Sequence, residues 1–288
     1  MDKRITNKSN LDYWVEHITS IYEECNGERD FKDVLIYFNE DVGRCFQLIN
    51  RRKDEDLKMI IPSLFRWFCI LYSKSNNKKN TVSDLLWNKF PGICPYCKKE
   101  TCGCDIVKHK LDLNYISDKA GKYKEKKPIT INEWQKLFQK IYPRKIDETD
   151  FIKNISHLSE ELSELSEVHR LYYTKTDMPC VEMEIADVFS WIMGLANLMD
   201  QLSLSNDHRS RYKLGDDIES LFFDGCPYCK DLRQSLSKYQ KIEKKCCCFL
   251  KKKELRLVSD YDDNFDDEDQ KDESNIGTNN KSDDNLLF

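Results

Sequence analysis

The 288-residue chain is expected to fold entirely from α-helices, and three observations carry that expectation. It holds only nine Gly and seven Pro, too few turn formers for a sheet with many tight connections. Apolar residues in its long segments recur every three or four positions, as on the buried stripe of an amphipathic helix. No segment shows the strict apolar/polar alternation of a half-buried strand. Ile155, Leu158, Leu162, Leu165 and Val168 form one such stripe, and Ile185, Val188, Phe189, Ile192 and Leu195 form a second.

The order of these elements repeats. At an offset of 120, Trp14 aligns with Trp134, Ile21-Tyr22 with Ile141-Tyr142, and Asp30-Phe31 with Asp150-Phe151. After four inserted residues, Leu64-Phe65-Arg66-Trp67 aligns with Val188-Phe189-Ser190-Trp191. "CPYCK" then occurs at 94–98 and again at 226–230, followed by Cys102-Gly103-Cys104 and by Cys246-Cys247-Cys248. A shared order of matches predicts a tandem duplication. The expected organisation is a helical repeat at 1–75, a cysteine module at 76–106, a Lys-rich linker at 107–130, a second helical repeat at 131–205, a second cysteine module at 206–258 and an acidic tail at 259–288. Each repeat is expected to form its own all-α bundle.

Composition narrows the class. Apolar residues make up 40% and charged residues 34%, so a core can form beneath a heavily charged surface. From Ser259 to Phe288, eleven Asp/Glu stand against two Lys/Arg, which reads as a disordered tail and leaves the rest of the chain at +4 of the total −5. The first twenty residues lack the apolar stretch of an export signal. No apolar run reaches the roughly 18 residues that span a bilayer. Thirteen Cys in such a chain point to thiols and metal rather than disulfides, and to the cytoplasm.

Two pairs of acids stand out in the second repeat. Glu161 and Glu164 lie three residues apart on one predicted helix, as do Glu184 and Asp187 on the next. That spacing puts each pair on one helix face, roughly 5–6 Å apart at Cβ. Acids so spaced are common on solvated helices. Glu184 and Asp187, however, stand among Ile185, Ala186, Val188, Phe189 and Trp191, where carboxylates are costly to bury without a partner or a metal. Two packed helices could aim four carboxylates at one hard divalent cation such as Mg²⁺, which also takes phosphate oxygens. Glu160, beside the first pair, is a spare carboxylate suited to orienting water.

"EELSE" at 160–164, nineteen residues and then "EIAD" at 184–187 resemble the E-E-x-x-E … E-x-x-D signature of MazG-like and all-α dUTPase-type nucleoside triphosphate pyrophosphohydrolases. The continuation "EIADVFSWIMGLANLM" is similar to that family's second motif helix. The resemblance covers about 130–205, and reaches 10–75 only through the repeat. It implies Mg²⁺ held by Glu161, Glu164, Glu184 and Asp187, with Glu160 as a ligand or as the base that orients water. It implies cleavage of the α–β phosphate bond of a nucleoside triphosphate, and association of chains as dimers or dimers of dimers, so a homo-oligomer is expected. Asn197 matches a position that is often polar in the family and is a candidate nucleotide contact.

In the first repeat Glu40, Asp41 and Arg44 stand where the second has Glu160, Glu161 and Glu164, while Ile60 and Ser63 replace Glu184 and Asp187. The first copy is therefore expected to be non-catalytic. Arg44 either lends its charge to the substrate's phosphates or pairs with a nearby acid.

Cys94, Cys97, Cys102 and Cys104 give C-x2-C-x4-C-x-C, a zinc-type spacing with Fe–S ligation as the lesser alternative. Cys226, Cys229, Cys246 and Cys248 repeat it over a longer interval. "KKCCCFLKKK" also fits an S-acylated polybasic anchor or a nucleic-acid patch; the repeat favours zinc and no membrane attachment. His157 and His169 flank the acids and are left outside the metal site. The expected activity is a Mg²⁺-dependent nucleotide pyrophosphohydrolase with structural Zn²⁺. The alternative is a non-catalytic zinc-containing protein that binds partners or nucleic acid on the same scaffold.

Overall fold

A computed structural model describes residues 10–51, 53–75, 80–104, 111–143, 148–172, 181–205 and 211–227. Among them the helices are α1 (Leu11–Ile21), α2 (Glu23–Asn26), α3 (Phe31–Asn50), α4 (Asp54–Lys74), α5 (Val82–Lys89), α6 (Leu113–Lys122), α7 (Ile131–Ile141), α8 (Glu148–Tyr172), α9 (Val181–Ser205) and α10 (Leu214–Phe222). The described residues form no strand, so the all-α expectation holds for them. None of their helices is long and apolar enough to cross a membrane. The tail and residues 206–210 and 228–258 of the second cysteine module lie outside the described residues.

Local chemistry sets several helix starts. The Asp30 side chain accepts from the Asp33 N–H while Asp33 accepts from the Asp30 N–H, a capping box that opens α3. Thr130 and Glu133 do the same for α7. Asn10 and Thr130, the N-caps of α1 and α7, stand at the 120-residue offset, and they pair with each other as an antiparallel bridge. The Leu11 N–H donates to the Ile129 carbonyl at 2.9 Å.

The two halves share one core rather than forming two separate bundles. α3 packs on α4 and on α8, and α9 packs on α8 and on α4. The reason is visible in α9, where Ile185, Val188, Phe189, Ile192, Leu195 and Leu198 are all buried, with Ala186, Met193 and Ala196 between them. A helix apolar on so many sides needs neighbours on several sides. Phe189 meets Phe65 and Phe68 of the first half and Trp134 and Phe138 of the second. α1 lies on α4, and α7 on α9. Two helices cross over: α5 packs on α9 of the other half, and α10 packs on α4. The stretch read as a linker contains α6, which turns Ile116 and Ala120 inward against α5, and the Trp87 indole N–H donates to the Ala120 carbonyl at 2.9 Å.

Asp41 ties α3 to α4. Its buried carboxylate accepts from the Ser63 hydroxyl at 2.7 Å and the Trp67 indole at 2.9 Å, and faces Arg44 at 2.8 Å and Arg66 at 3.6 Å. Asp41→Ala should lower unfolding stability by about 3 kcal/mol, because it removes the counter-charge beside the nearly buried Arg66 and the acceptor of the Trp67 N–H. Urea unfolding followed by circular dichroism checks this; an unchanged midpoint would mean that Asp41 does not hold the two helices.

Candidate functional site

Glu161 on α8 and Glu184 and Asp187 on α9 come together, each offering a carboxylate oxygen within 4.8 Å of the others. Helical spacing puts Glu184 and Asp187 on one face of α9, and the packing of α8 against α9 supplies Glu161. The Trp191 indole N–H donates to Glu161 Oε1 at 3.1 Å and fixes that side chain. Glu161 Oε2 is buried and has no hydrogen-bond partner. Burial, reinforced by the Asp187 charge, pushes the Glu161 carboxyl up to about 8. Burial raises Glu184 and Asp187 as well, and the Lys89 ammonium opposes both shifts. Three clustered acids on two helices, one with a buried oxygen lacking a donor, fit a hard divalent cation.

Lys89 joins the site although the spacing of the acids gives no sign of it. It ends α5, is 2% exposed, and donates to the Asp187 carboxylate and to the Met183 carbonyl. One signal could have revealed it. Lys89 precedes the Phe-x-Gly at 90–92, and Phe222 precedes the matching Phe-x-Gly at 223–225. The helix that holds Asp187 is packed by one ending in lysine, and the helix that holds Ser63 by one ending in phenylalanine.

Other candidates lie apart from the triad. Glu164 is exposed and outside the 4.8 Å group, although its charge raises both Glu161 and Glu184. Glu160 is exposed and bonds His157 Nδ1 at 2.9 Å, and the His157 ring stacks on Trp191 with centroids 4.6 Å apart. Arg44 pairs with Asp41, the second of the two roles open to it. Asn197 is buried and donates to the Gln135 carbonyl at 3.1 Å, beside a separate cavity of about 140 Å³. His169 stacks on Phe31.

Cys94, Cys97, Cys102 and Cys104 also converge, with their sulfurs within 4.8 Å of one another, and can hold a metal ion such as zinc. Cys94 and Cys104 sulfurs are 3.7 Å apart, and the Cys104 N–H points at the Cys102 sulfur at 3.4 Å. Burial raises the Cys97 thiol, but backbone N–H groups of Gly103 and Lys99 outweigh it and bring the thiol down to about 7. The Cys102 and Cys104 thiols are pushed up instead, chiefly by burial. Of the second module, Cys226 is buried and accepts from the Tyr22 hydroxyl at 3.3 Å. Cys229, Cys246 and Cys248 lie outside the described residues.

The two clusters open onto one cavity of about 690 Å³. Glu161, Asp187 and Trp191 line it together with Cys94, Cys102 and Cys104, and Tyr96, Phe138 and Tyr142 contribute aromatic wall. The first half repeats one contact of this site. Trp67 donates to Asp41 as Trp191 donates to Glu161, yet Asp41 is enclosed by Arg44, Arg66 and Ser63, whereas Glu161 keeps a bare oxygen. Comparison of the chain with protein-family profiles, with curated proteins and with solved structures finds no match.

The raised Glu161 pKa has a consequence with a definite sign. Its folded value near 8 exceeds the ordinary glutamate value of 4.5. In magnesium-free buffer its contribution to stability is full below the lower value and is lost as pH rises through the upper one. Wild-type Tm should therefore fall relative to Glu161→Gln between about pH 5 and about pH 8, and Mg²⁺ should restore it more at the upper end, since cation binding displaces the proton. Thermal scans across pH with and without Mg²⁺ check this; parallel profiles for the two proteins would contradict it.

Proposed function

We propose that this chain is a divalent-cation-dependent nucleotide pyrophosphohydrolase of the MazG-like, all-α type, built as a duplicated scaffold with one working copy. One observation carries the reading: Glu161, Glu184 and Asp187 converge from two packed helices, Glu161 and Asp187 line a large cavity, and Glu161 presents a buried oxygen with no partner. The E-E-x-x-E … E-x-x-D spacing that these residues occupy supports it. So do the offset-related Asn10–Thr130 bridge and the matched Trp67–Asp41 and Trp191–Glu161 bonds.

In this reading Glu161, Glu184 and Asp187 hold Mg²⁺, with Glu164 at the edge of the set. The cation would supply Lewis-acid polarisation of the phosphate chain and neutralise its charge. The protein's own groups do the rest. Trp191 orients Glu161, and Lys89 offsets the mutual repulsion of the carboxylates. Glu160, exposed and bonded to His157, which lines the cavity, would accept a proton from water. The water oxygen joins the α-phosphorus, the bridging oxygen leaves with the β-phosphate, and monophosphate and pyrophosphate result. Zn²⁺ on Cys94, Cys97, Cys102 and Cys104 is structural.

One observation favours a second reading. An ammonium already sits on Asp187, as in a site that has exchanged catalysis for binding. A panel of ribo- and deoxyribonucleoside triphosphates with Mg²⁺, assayed for pyrophosphate, separates the two. Wild type should turn over at least one of them, and Glu161→Ala and Glu184→Ala should each lose roughly 100-fold or more. Arg44→Ala should stay within about twofold, because an exposed arginine paired with Asp41 does not reach the cavity. Absence of pyrophosphate from every triphosphate leaves the binding reading.

A further inference from the structure

The segment that carries the first cysteine cluster also enters the carboxylate cavity. Lys89 at the end of α5 bonds Asp187, and seven residues later Tyr96, between Cys94 and Cys97, lines the same cavity as Glu161 and Asp187. The path between them is tightly defined. Gly92 has φ 79°, which glycine adopts freely. The Lys98 N–H donates to the Cys94 carbonyl at 2.9 Å, the Cys94 N–H donates to the Lys99 carbonyl at 2.8 Å, and Lys98 closes the turn at φ 62°. On the far side the Cys102 N–H donates to the Ile141 carbonyl at 2.7 Å, and this pins the knuckle to the end of α7. Four sulfurs around one metal ion would lock this turn, and with it the position of Tyr96.

Tyr96 is 38% exposed, and among the described residues its hydroxyl has no hydrogen-bond partner. A phosphate chain bridged to carboxylates by a cation still has oxygens that need donors, and the carboxylates offer none.

We propose that Tyr96 faces the ligand of the carboxylate site, donating its hydroxyl to the phosphate chain of a bound nucleotide, and that the metal-loaded cysteine knuckle holds it there. This rests on the pyrophosphohydrolase reading. The cysteine cluster is then a wall of the site, and the first half completes the second through residues 89–104.

The test uses full-length, zinc-loaded protein. The probes are Mn²⁺ alone, followed by electron paramagnetic resonance, and the α,β-imido analogue of the most readily cleaved triphosphate with Mg²⁺, followed by calorimetry. Tyr96→Phe should bind the analogue about tenfold or more weakly, the loss of one hydrogen bond to a charged acceptor. Its Mn²⁺ affinity should stay within about twofold, because the phenol contacts the anion and not the cation. Stripping zinc from wild type should cost a similar factor. Stripping Tyr96→Phe should add less than about threefold, since both changes remove the same contact. Wild-type analogue affinity in Tyr96→Phe overturns the proposal, and additive losses overturn the link to the cysteines. Should the stripped chain unfold, the zinc-loaded comparison decides alone. Wild type that binds neither probe overturns the pyrophosphohydrolase reading, and this one with it.

Discussion

The described fold depends on burying α9. This helix is apolar on most of its circumference and yet carries Glu184 and Asp187 near its start. Its apolar sides draw in α8, α4, α7 and α5, from both halves of the sequence. Its acids then lie where water is scarce, and a carboxylate in that position must be neutralised, paired or metal-bound. Lys89 meets part of the need at Asp187, and raised proton affinity at Glu161 meets another part. The same demand that closes the core thus creates an electrostatic deficit that a divalent cation can fill.

Asp41 and Glu161 show two outcomes of one arrangement. Each acid sits on the first helix of a packed pair and takes an indole N–H from the second. Around Asp41, two arginines and a serine complete the shell, and the carboxylate acts as a fastening between helices. Around Glu161 the shell is left incomplete, with one buried oxygen unsatisfied. Stability alone would favour closing it, as Asp41 has been closed. Local departures from full satisfaction are what functional sites are built from.

The helices and the pairing of acids were legible in the sequence because both follow from spacing along one element. The i, i+3 rule put Glu184 and Asp187 on one face, and the apolar surroundings of that pair marked it as unusual. The C-x2-C-x4-C-x-C run was legible for the same reason: its ligands lie within eleven residues. What escaped were relations between distant segments. Lys89 and Asp187 are 98 residues apart, and nothing local to either announces the other. The sharing of one core by both halves escaped likewise, since the apolar demand of α9 does not say which helices will meet it. Nor could spacing tell that Glu160 turns toward His157 while its neighbour Glu161 turns inward. The short linker helix α6 was masked by its lysines, although Ile116 and Ala120 lie one turn apart.

The crossing of α5 and α10 between halves ties the beginning of the described chain to its end. Tyr22 meets Cys226 across 204 positions, and His17 bonds the Phe222 carbonyl across 205. Contacts that enclose so much intervening chain form only after the costly ordering of that chain, which slows assembly relative to a string of locally closed bundles. During synthesis Lys89 must wait in solvent until α9 has emerged, and the N-terminal helices remain unsealed until the last described residues arrive. The described helices therefore mature together, and the nascent chain passes through an interval in which their aromatic faces are open to solvent.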